Sequence, residues 1–236
     1  MLVGQLTEFK NKYEGSQCLI FGNGPSLTPE ILRKIKDLGI FSFAANGFCL
    51  IFDQVDFIPD AVCMSNYDAI KRFASEYPDK SIKFFKKGWH KHVHLPFKNV
   101  YELPFKCEHD AGKHKNKFIK DGYFTLDPGK ENYCGDTVLL DFAIPLAFYM
   151  GFREIYLAGV DCDYSKGYFS KKYDIAAKKD FKGMVNNDYS IAIPSYQYTH
   201  RFLSGHGCKL YKITESARLD FIETRFPTQT LGVKST

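Results

Sequence analysis

A glycine turn near the N-terminus, residues 22–26, has residue types that suit the binding of an anion. The apolar run Leu19–Phe21 comes directly before it and is typical of a buried parallel strand. Gly22 and Gly24 lack β-carbons, so a ligand could approach their backbone N–H groups closely. Nucleotide phosphates bind in such turns, at the start of the following helix. The polar side chains of the predicted phosphate site are Asn23 and Ser26.

The residues after the glycine turn indicate a helix start. Thr28 suits the N-cap, Pro29 the first helical position and Glu30 the first turn. The spacing is not the dinucleotide fingerprint, whose third glycine would stand at Leu27, and no Walker loop follows. Spacing alone therefore leaves open an ordinary strand–turn–helix connection that binds nothing.

Other predicted strands also end in small polar residues. These are Asn46, then Ser65 with Asn66, and finally Asp161 with Asp163. Ligands of open parallel sheets bind where the strands end. Asparagine both donates and accepts hydrogen bonds, which suits a base, a ribose or a phosphate. One asparagine after a strand is usually a turn residue, but polar groups at several strand ends favour a binding site.

Hydrophobic patterns predict strands that alternate with helices. The predicted strands are 18–21, 40–45, 61–64, 82–85, 154–158 and 209–213, and the predicted helices are 2–13, 29–38, 68–76, 136–150, 196–205 and 217–223. Pro145 predicts a kink in the long apolar helix, and Gly151 predicts its end. Alternation of this kind is typical of an α/β protein with a doubly wound, Rossmann-like parallel sheet.

Length and composition suit a single domain of this class. The 236 residues predict one nucleotide-binding domain over 1–236. Segments 86–130 and 165–195 are polar and poorly periodic, which indicates insertions or an irregular lid. No run is apolar enough to span a bilayer or to act as a secretory signal, and the seven scattered cysteines favour reduced thiols. We expect a cytoplasmic protein.

Basic residues concentrate in two stretches, 83–94 and 113–120. Such stretches are usually solvated surfaces. The functional alternative is an anionic partner: a phosphorylated substrate, an acidic glycan or the inner membrane surface, which the protein would contact peripherally. No nucleic-acid-binding motif accompanies the charge, so nucleic acid is not an expected partner.

Two groups of residues could hold a metal ion. Asp161 and Asp163 would point the same way in an extended segment and could bind Mg²⁺ against a diphosphate. His90, His92 and His94 would share one face of a strand, although a basic surface is the preferred interpretation. No metal cofactor is favoured, and Mg²⁺ is kept for the case in which the two aspartates form a site.

Several motifs together resemble the bacterial sialyltransferases that use cytidine-monophosphate (CMP)-activated sialic acid. They also resemble the broader group named after the archaeal 6-hydroxymethylpterin diphosphokinase, which includes proteins of surface-glycan and flagellin glycosylation. The motifs are Gly22–Leu27, Asn46 in Ala-Asn-Gly-Phe, Ser65-Asn66, Gly135 before the long helix, and Gly151–Asp161.

The resemblance implies nucleotide-binding roles for these positions. The glycine turn would hold the phosphate, and Asn46 with Ser65 or Asn66 would contact the nucleotide or its sugar. Gly135 would let the backbone approach the base or ribose. Two further positions fall where the sialyltransferases place phosphate-binding tyrosines, Tyr164 and Tyr168.

The resemblance is weaker for the catalytic groups. Tyr189 or Ser190 stands where the sialyltransferases carry a catalytic histidine. His200 is therefore the predicted general base, and Asp161, under the sugar or the cytidine, is the second predicted catalytic residue.

The sequence thus predicts a sialyltransferase-like glycosyltransferase that uses an activated sugar nucleotide, preferably a CMP-sugar. It would transfer the sugar to a glycan acceptor in surface polysaccharide biosynthesis. One alternative is a Mg²⁺-dependent diphosphokinase of the pterin type, with Asp161 and Asp163 at the metal. Another is a nucleotide-binding protein without catalytic activity.

Overall fold

A seven-stranded, wholly parallel sheet forms the centre of the protein in the computed structural model, which describes residues 4–94, 96–105, 124–132, 137–163, 167–172 and 192–228. The strands are β1 Gln17–Phe21, β2 Phe41–Ala45, β3 Ala61–Met64, β4 Ile82–Lys86, β5 Val100–Leu103, β6 Glu154–Ala158 and β7 Lys209–Lys212. Their order across the sheet is β5-β4-β3-β2-β1-β6-β7. The predicted α/β class with a parallel sheet is confirmed.

The strand order reverses at β1, which has β2 on one side and β6 on the other. This is a topological switch point, where open parallel sheets form a crevice beyond the strand ends. The register pairs Phe21 with both Ala44 and Ala158. The chain therefore leaves these three neighbouring strands at nearly the same level, called here the carboxyl edge.

Helices cover both faces of the sheet. They are α1 Pro29–Lys36, α2 Tyr67–Phe73, α3 Ile144–Tyr149 and α4 Ala192–Gly205. Leu32 of α1 and Ile70 of α2 belong to the core cluster on one face. Leu146 of α3 and Leu203 of α4 belong to the cluster on the other face. Helices on both faces define a doubly wound sheet.

The long apolar helix changes its hydrogen bonding next to Pro145. Leu139–Ala143 form a π-helical turn, and α3 continues from Ile144. Proline has no N–H to donate to the preceding turn, which accounts for an irregularity at this place. Gly151 then adopts φ +97 and ends the helix. The predicted helix end is confirmed, and the irregularity expected at Pro145 takes the form of this π-helical turn.

The sequence pattern missed strand β5 and overestimated the first helix. Val100–Leu103 lie in the segment interpreted as irregular, yet they pair in register with Lys83–Lys86 of β4. Of the predicted helix 2–13, the described residues form only a short 3₁₀ helix at Leu6–Phe9. Residues 106–123 and 173–191 of the predicted insertions lie outside the described part of the chain. Every helix that the structure describes is too short or too polar to cross a membrane.

Candidate functional site

The glycine turn lies against the β6 loop, residues 159–163, across the switch point. Gly22 N–H donates to the Ala158 carbonyl oxygen at 2.9 Å, and Gly24 N–H donates to the Gly159 carbonyl oxygen at 2.8 Å. A β-carbon on Gly22 would collide with the Gly159 carbonyl, and one on Gly24 would collide with Asp161 Oδ2. Both glycines are therefore required for this close packing of two loops.

Asp161 joins the loops through its side chain and its backbone. Its Oδ2 accepts from the Ser26 N–H at 3.1 Å, and its carbonyl oxygen accepts from the Ser216 hydroxyl at 3.0 Å. The N–H groups of Gly22, Gly24 and Ser26 are thus all used to hold the β6 side of the crevice. These three N–H groups are therefore not available to a phosphate in the described conformation.

The segment after β7 forms a third wall that the sequence interpretation did not include. Thr214 Oγ1 accepts from the Ser26 hydroxyl at 3.0 Å and from the Gly159 N–H at 3.1 Å. Both Thr214 and Ser216 are buried. They follow a correctly predicted strand, so the same rule of polar residues after strand ends could have identified them.

Two asparagines at the ends of β1 and β2 carry unpaired side-chain oxygens. Asn23 Nδ2 donates to the Ala45 carbonyl oxygen at 3.1 Å. The Oδ1 atoms of Asn23 and Asn46 are buried and have no hydrogen-bond partner among the residues that the structure describes. Leaving a buried acceptor unpaired costs about 1–3 kcal/mol. Such groups in a native structure call for an explanation, and a ligand that donates is one.

Asn46 is held in an unusual backbone conformation. Its φ is +46, in the left-handed region that asparagine tolerates better than most residues. The buried Tyr77 hydroxyl donates to the Asn46 carbonyl oxygen at 2.7 Å and accepts from the Cys49 N–H at 3.2 Å. Tyr77 thereby fixes the turn that presents the Asn46 side chain.

The end of β3 contributes less to the site. Asn66 Oδ1 accepts from the Asp68 N–H at 2.7 Å and caps α2. Its side chain therefore has a structural role independent of any ligand. Ser65 is half-buried at the carboxyl edge, next to the end of β3.

One predicted tyrosine lies in a segment that reaches the glycine turn. Phe169 N–H donates to the Asn23 carbonyl oxygen at 3.0 Å, which places the neighbouring Tyr168 beside the turn. The other predicted positions, Gly135 and Tyr164, lie outside the described residues.

The extended geometry assumed for a metal site at Asp161 and Asp163 is absent. Strand β6 ends at Ala158, and Cys162 between the aspartates has φ +51. Alternation along a strand therefore does not align the two carboxylates. Trp89–Lys91 form a 3₁₀ turn, so His90 is not on a strand either. Among the described residues, no three His, Cys, Asp or Glu side chains are grouped to hold a metal.

The two predicted catalytic residues share no contact among the described residues, and Asp161 is not part of the cavity that His200 lines. His200 of α4 lines a cavity of about 270 Å³ with Lys209–Tyr211, the first residues of β7. Asp161 instead follows the end of β6, which runs parallel to β7. Burial lowers the pKa of His200, and the nearby Arg201 guanidinium lowers it further.

An arginine near the β6 loop was also missed. Arg218 belongs to the short 3₁₀ helix Ala217–Leu219, directly after Ser216. Burial raises the pKa of the Cys162 thiol to about 12, the Asp161 carboxylate raises it too, and the Arg218 guanidinium opposes them. Arg218 is exposed and has no ion pair within the described part of the chain.

The fold defines a doubly wound α/β protein whose strand order reverses at β1. Residues 1–167 match the family described as 6-hydroxymethylpterin diphosphokinase MptE-like, and the chain belongs to this family. The suspected family is thereby confirmed. A search of curated proteins gives no match.

Solved structures of glycosyltransferases share the fold. A variant of the sialyltransferase Cst-II in complex with CMP is 15% identical, with TM-score 0.52 over 92% of this chain and 89% of the other. The monofunctional α-2,3-sialyltransferase Cst-I from Campylobacter jejuni is 14% identical, with TM-score 0.53 over 99% and 86%. The Maf glycosyltransferase from Magnetospirillum magneticum AMB-1 is 15% identical, with TM-score 0.51 over 98% of this chain but 39% of its own.

Proposed function

We propose that the protein is a glycosyltransferase that binds an activated sugar nucleotide, preferably a CMP-sugar, in a crevice at the carboxyl edge, over the ends of β1 and its neighbours. The observation that carries the proposal is the pair of unpaired amide oxygens, on Asn23 and Asn46, at the carboxyl edge beside the switch point. The shared fold with sialyltransferases, one of them solved with CMP, supports the same class of donor.

The chemistry of these two oxygens favours the nucleoside part of the donor. An amide oxygen only accepts hydrogen bonds, and an ionised phosphate offers no proton to donate. Ribose hydroxyls and the 4-amino group of cytosine do donate. We therefore assign Asn23 and Asn46 to the ribose and the base, and not to the phosphate.

We therefore assign the phosphate to the part of the crevice beside the β6 loop and the glycine turn. The N–H groups of Gly22, Gly24 and Ser26 are already used, and we propose that side chains supply the donors. Arg218 and Tyr168 are the proposed groups, because one flanks the β6 loop and the other lies beside the glycine turn. A guanidinium pairs strongly with phosphate and would stabilise the charge that develops on the leaving nucleotide.

Asp161 is proposed to orient the transferred sugar. Its Oδ2 holds the Ser26 N–H, while its Oδ1 has no partner among the described residues. That oxygen could accept from a sugar hydroxyl. In the reaction the acceptor hydroxyl oxygen would attack the anomeric carbon, and the bond to the phosphate oxygen would break. A general base would take the hydroxyl proton. His200 lines a cavity that does not include Asp161, so the proposal does not name it as that base.

The proposal also covers the acceptor and the cellular role. We propose a glycan acceptor, a part in surface polysaccharide biosynthesis, and a cytoplasmic site of action that includes the inner membrane surface. The family match favours one second candidate, a pterin diphosphokinase. That enzyme would need ATP with Mg²⁺, for which Asp161 and Asp163 are the carboxylates near the crevice.

Nucleotide binding distinguishes the two candidates. We expect CMP to stabilise the protein against unfolding with a chelator present, by about 2.7 kcal/mol at a hundred times its Kd. UMP should bind more weakly, because uracil lacks the 4-amino donor. Stabilisation by ATP that needs added Mg²⁺, without any by CMP, would replace the proposal with the diphosphokinase. Release of CMP from a CMP-sugar then tests the transfer itself.

A matched pair of asparagine variants tests the assignment of Asn46. Asn46 and Asn99 both have left-handed backbones, with φ +46 and +53, so Asn→Ala adds similar strain to each. Asn99 lies directly before β5, at the amino ends of the strands and away from the carboxyl edge. We expect Asn46→Ala to weaken CMP binding about three- to tenfold in calorimetry and Asn99→Ala to leave it unchanged. If the two variants bind CMP with equal affinity, Asn46 is not part of the nucleotide site.

A further inference from the structure

We propose that a basic surface at the end of β4 binds an anionic glycan, which serves as the acceptor chain of the proposed transfer. The surface consists of Lys86, Lys87, His90, Lys91 and His92, and is called here the β4 basic surface. The inference rests on the proposed function, because it names the chemical class of that reaction's second substrate.

The charges of this surface are largely uncompensated. Residues 86–94 include no acidic side chain. Among the described residues, Glu102 is the acidic residue in contact with the surface, and its Oε1 lies 3.2 Å from His90 Nδ1. Lys87 and Lys91 are exposed and form no ion pair with any residue that the structure describes. A chain of negatively charged groups could therefore pair with these lysines without displacing an existing partner.

The surface is built on a rigid base. Trp89 is fully buried and packs against Phe85 and Phe97, with ring centroids 5.5 and 5.4 Å away. The Tyr67 hydroxyl donates to the Lys87 carbonyl oxygen at 3.0 Å. Binding to a preorganised surface loses less conformational entropy than binding to a mobile loop.

Aromatic rings fix two of the basic groups. Lys86 Nζ lies 4.8 Å from the Tyr67 ring centroid and 5.1 Å from that of Phe105. The His92 ring stacks on Tyr67, with centroids 4.0 Å apart and planes at 20°. Tyr67 thus contacts both Lys86 and His92, and His92 is exposed, so its ring could also contact a sugar.

The position of the surface suits an acceptor for the crevice. Lys86 ends β4, so the surface lies at the same carboxyl edge as Asn46 and the glycine turn. Strands β3 and β2 separate β4 from β1. At a strand spacing of about 4.8 Å, the two places are roughly 14 Å apart. An oligosaccharide of a few units could rest on the surface and place its terminal hydroxyl in the crevice.

The residue composition of the β4 basic surface favours a glycan over a lipid membrane as its binding partner. Peripheral membrane surfaces combine basic groups with apolar side chains that insert among the lipids. Trp89, the large aromatic residue of this segment, is buried beneath the β4 basic surface. The exposed large hydrophobic residues of the described chain are Leu126 and Phe226, and neither belongs to this segment.

Calorimetry with a hexamer of galacturonic acid tests the proposal, with neutral maltohexaose as the uncharged probe. At low ionic strength we expect the acidic hexamer to bind and the neutral one not to bind. The double variant Lys87→Gln with Lys91→Gln should weaken the acidic hexamer about three- to tenfold, since exposed ion pairs contribute modestly. CMP affinity and melting temperature should stay as in the unchanged protein.

A second double variant controls for net charge. Lys34→Gln with Lys80→Gln removes the same charge from exposed lysines, of α1 and of the turn before β4, that form no ion pair with described residues. Equal weakening by both double variants, or no binding of the acidic hexamer, would overturn the proposal. So would lysine-dependent binding to phosphatidylglycerol vesicles without hexamer binding. CMP binding is measured separately, so its loss would count against the proposed function alone.

Discussion

Gly24 has no room for a side chain because the carboxylate of Asp161 fills the place of its β-carbon. The same carboxylate accepts the Ser26 N–H at 3.1 Å. Two loops that are far apart in sequence thus interlock at the switch point. The glycine turn is needed to form the crevice, whatever ligand the crevice takes.

Gly24→Ala should therefore destabilise the protein. The added methyl group would overlap Asp161 Oδ2 and approach the Gly159 carbonyl oxygen to 2.7 Å, and backbone cannot move away cheaply. Overpacking of this kind costs about 1–3 kcal/mol. Urea unfolding measures the loss, and calorimetry should show weaker CMP binding because Asp161 is displaced.

Gly205→Ala is the matched control for this substitution. Gly205 is the last residue of α4, and a β-carbon there would meet no atom within 4 Å. Alanine is the better helix former, so the free energy of unfolding should stay the same or rise by less than about 1 kcal/mol. If Gly24→Ala behaves like Gly205→Ala, the loops are not interlocked as described.

Asp161→Asn should reduce activity far more than stability. The amide oxygen can still accept from the Ser26 N–H, so the interlocked loops are retained. The negative charge that would orient the sugar is lost, and we expect the rate of CMP release from a CMP-sugar to fall at least about tenfold. A variant that melts much earlier yet keeps its specific activity would show that Asp161 is only structural.

The strands and the polar residues at their ends could be predicted because these signals are local. Ala61–Met64 and Glu154–Ala158 have the predicted bounds, since buried parallel strands are short continuous apolar runs. The partners of the glycine N–H groups could not be predicted in this way. They depend on the pairing of β1 with β6, which lie far apart in the sequence.

Two further features of the structure could not be predicted from local sequence signals. Strand β5 lies at the sheet edge, with Tyr101 and Glu102 only half-buried, so its apolar signal is weak. The surroundings of His200 could not be predicted either, because they depend on how α4 packs against β7, whose residues Lys209–Tyr211 line a cavity with it. Residue type alone does not show this packing.

His200 should affect the pH dependence of stability. Burial lowers its pKa in the folded state below the ordinary 6.5, so the unfolded chain binds the proton more readily. Between the two pKa values the unfolded state carries more protons, and the free energy of unfolding therefore rises with pH up to about 6.5. Acid removes this contribution. Urea unfolding from about pH 5 to about pH 8 should show a smaller slope for His200→Gln.

The same variant tests the placement of His200 away from the reaction. CMP release by His200→Gln should equal that of the unchanged protein near neutral pH. A large loss of turnover without loss of stability would instead identify His200 as the general base.

Tyr77→Phe should weaken nucleotide binding although Tyr77 belongs to the buried core. The hydroxyl fixes the left-handed turn at Asn46 through a 2.7 Å hydrogen bond to its carbonyl oxygen. Without it, the Asn46 side chain is less often in position to accept from the ligand. We expect CMP affinity to fall about two- to fivefold, with a modest drop in melting temperature.

A double-mutant cycle with Asn46→Ala separates this role from a loss of stability alone. If Tyr77 acts through Asn46, the double variant should bind CMP no more weakly than Asn46→Ala, because the positioned amide is already gone. Tyr156→Phe, which removes a buried-ring hydroxyl bonded to Glu154 Oε2 at 2.9 Å, is the control and should leave CMP affinity unchanged. Additive losses in the cycle, or an equal loss in Tyr156→Phe, would mean that Tyr77 supports the fold in general and does not position Asn46.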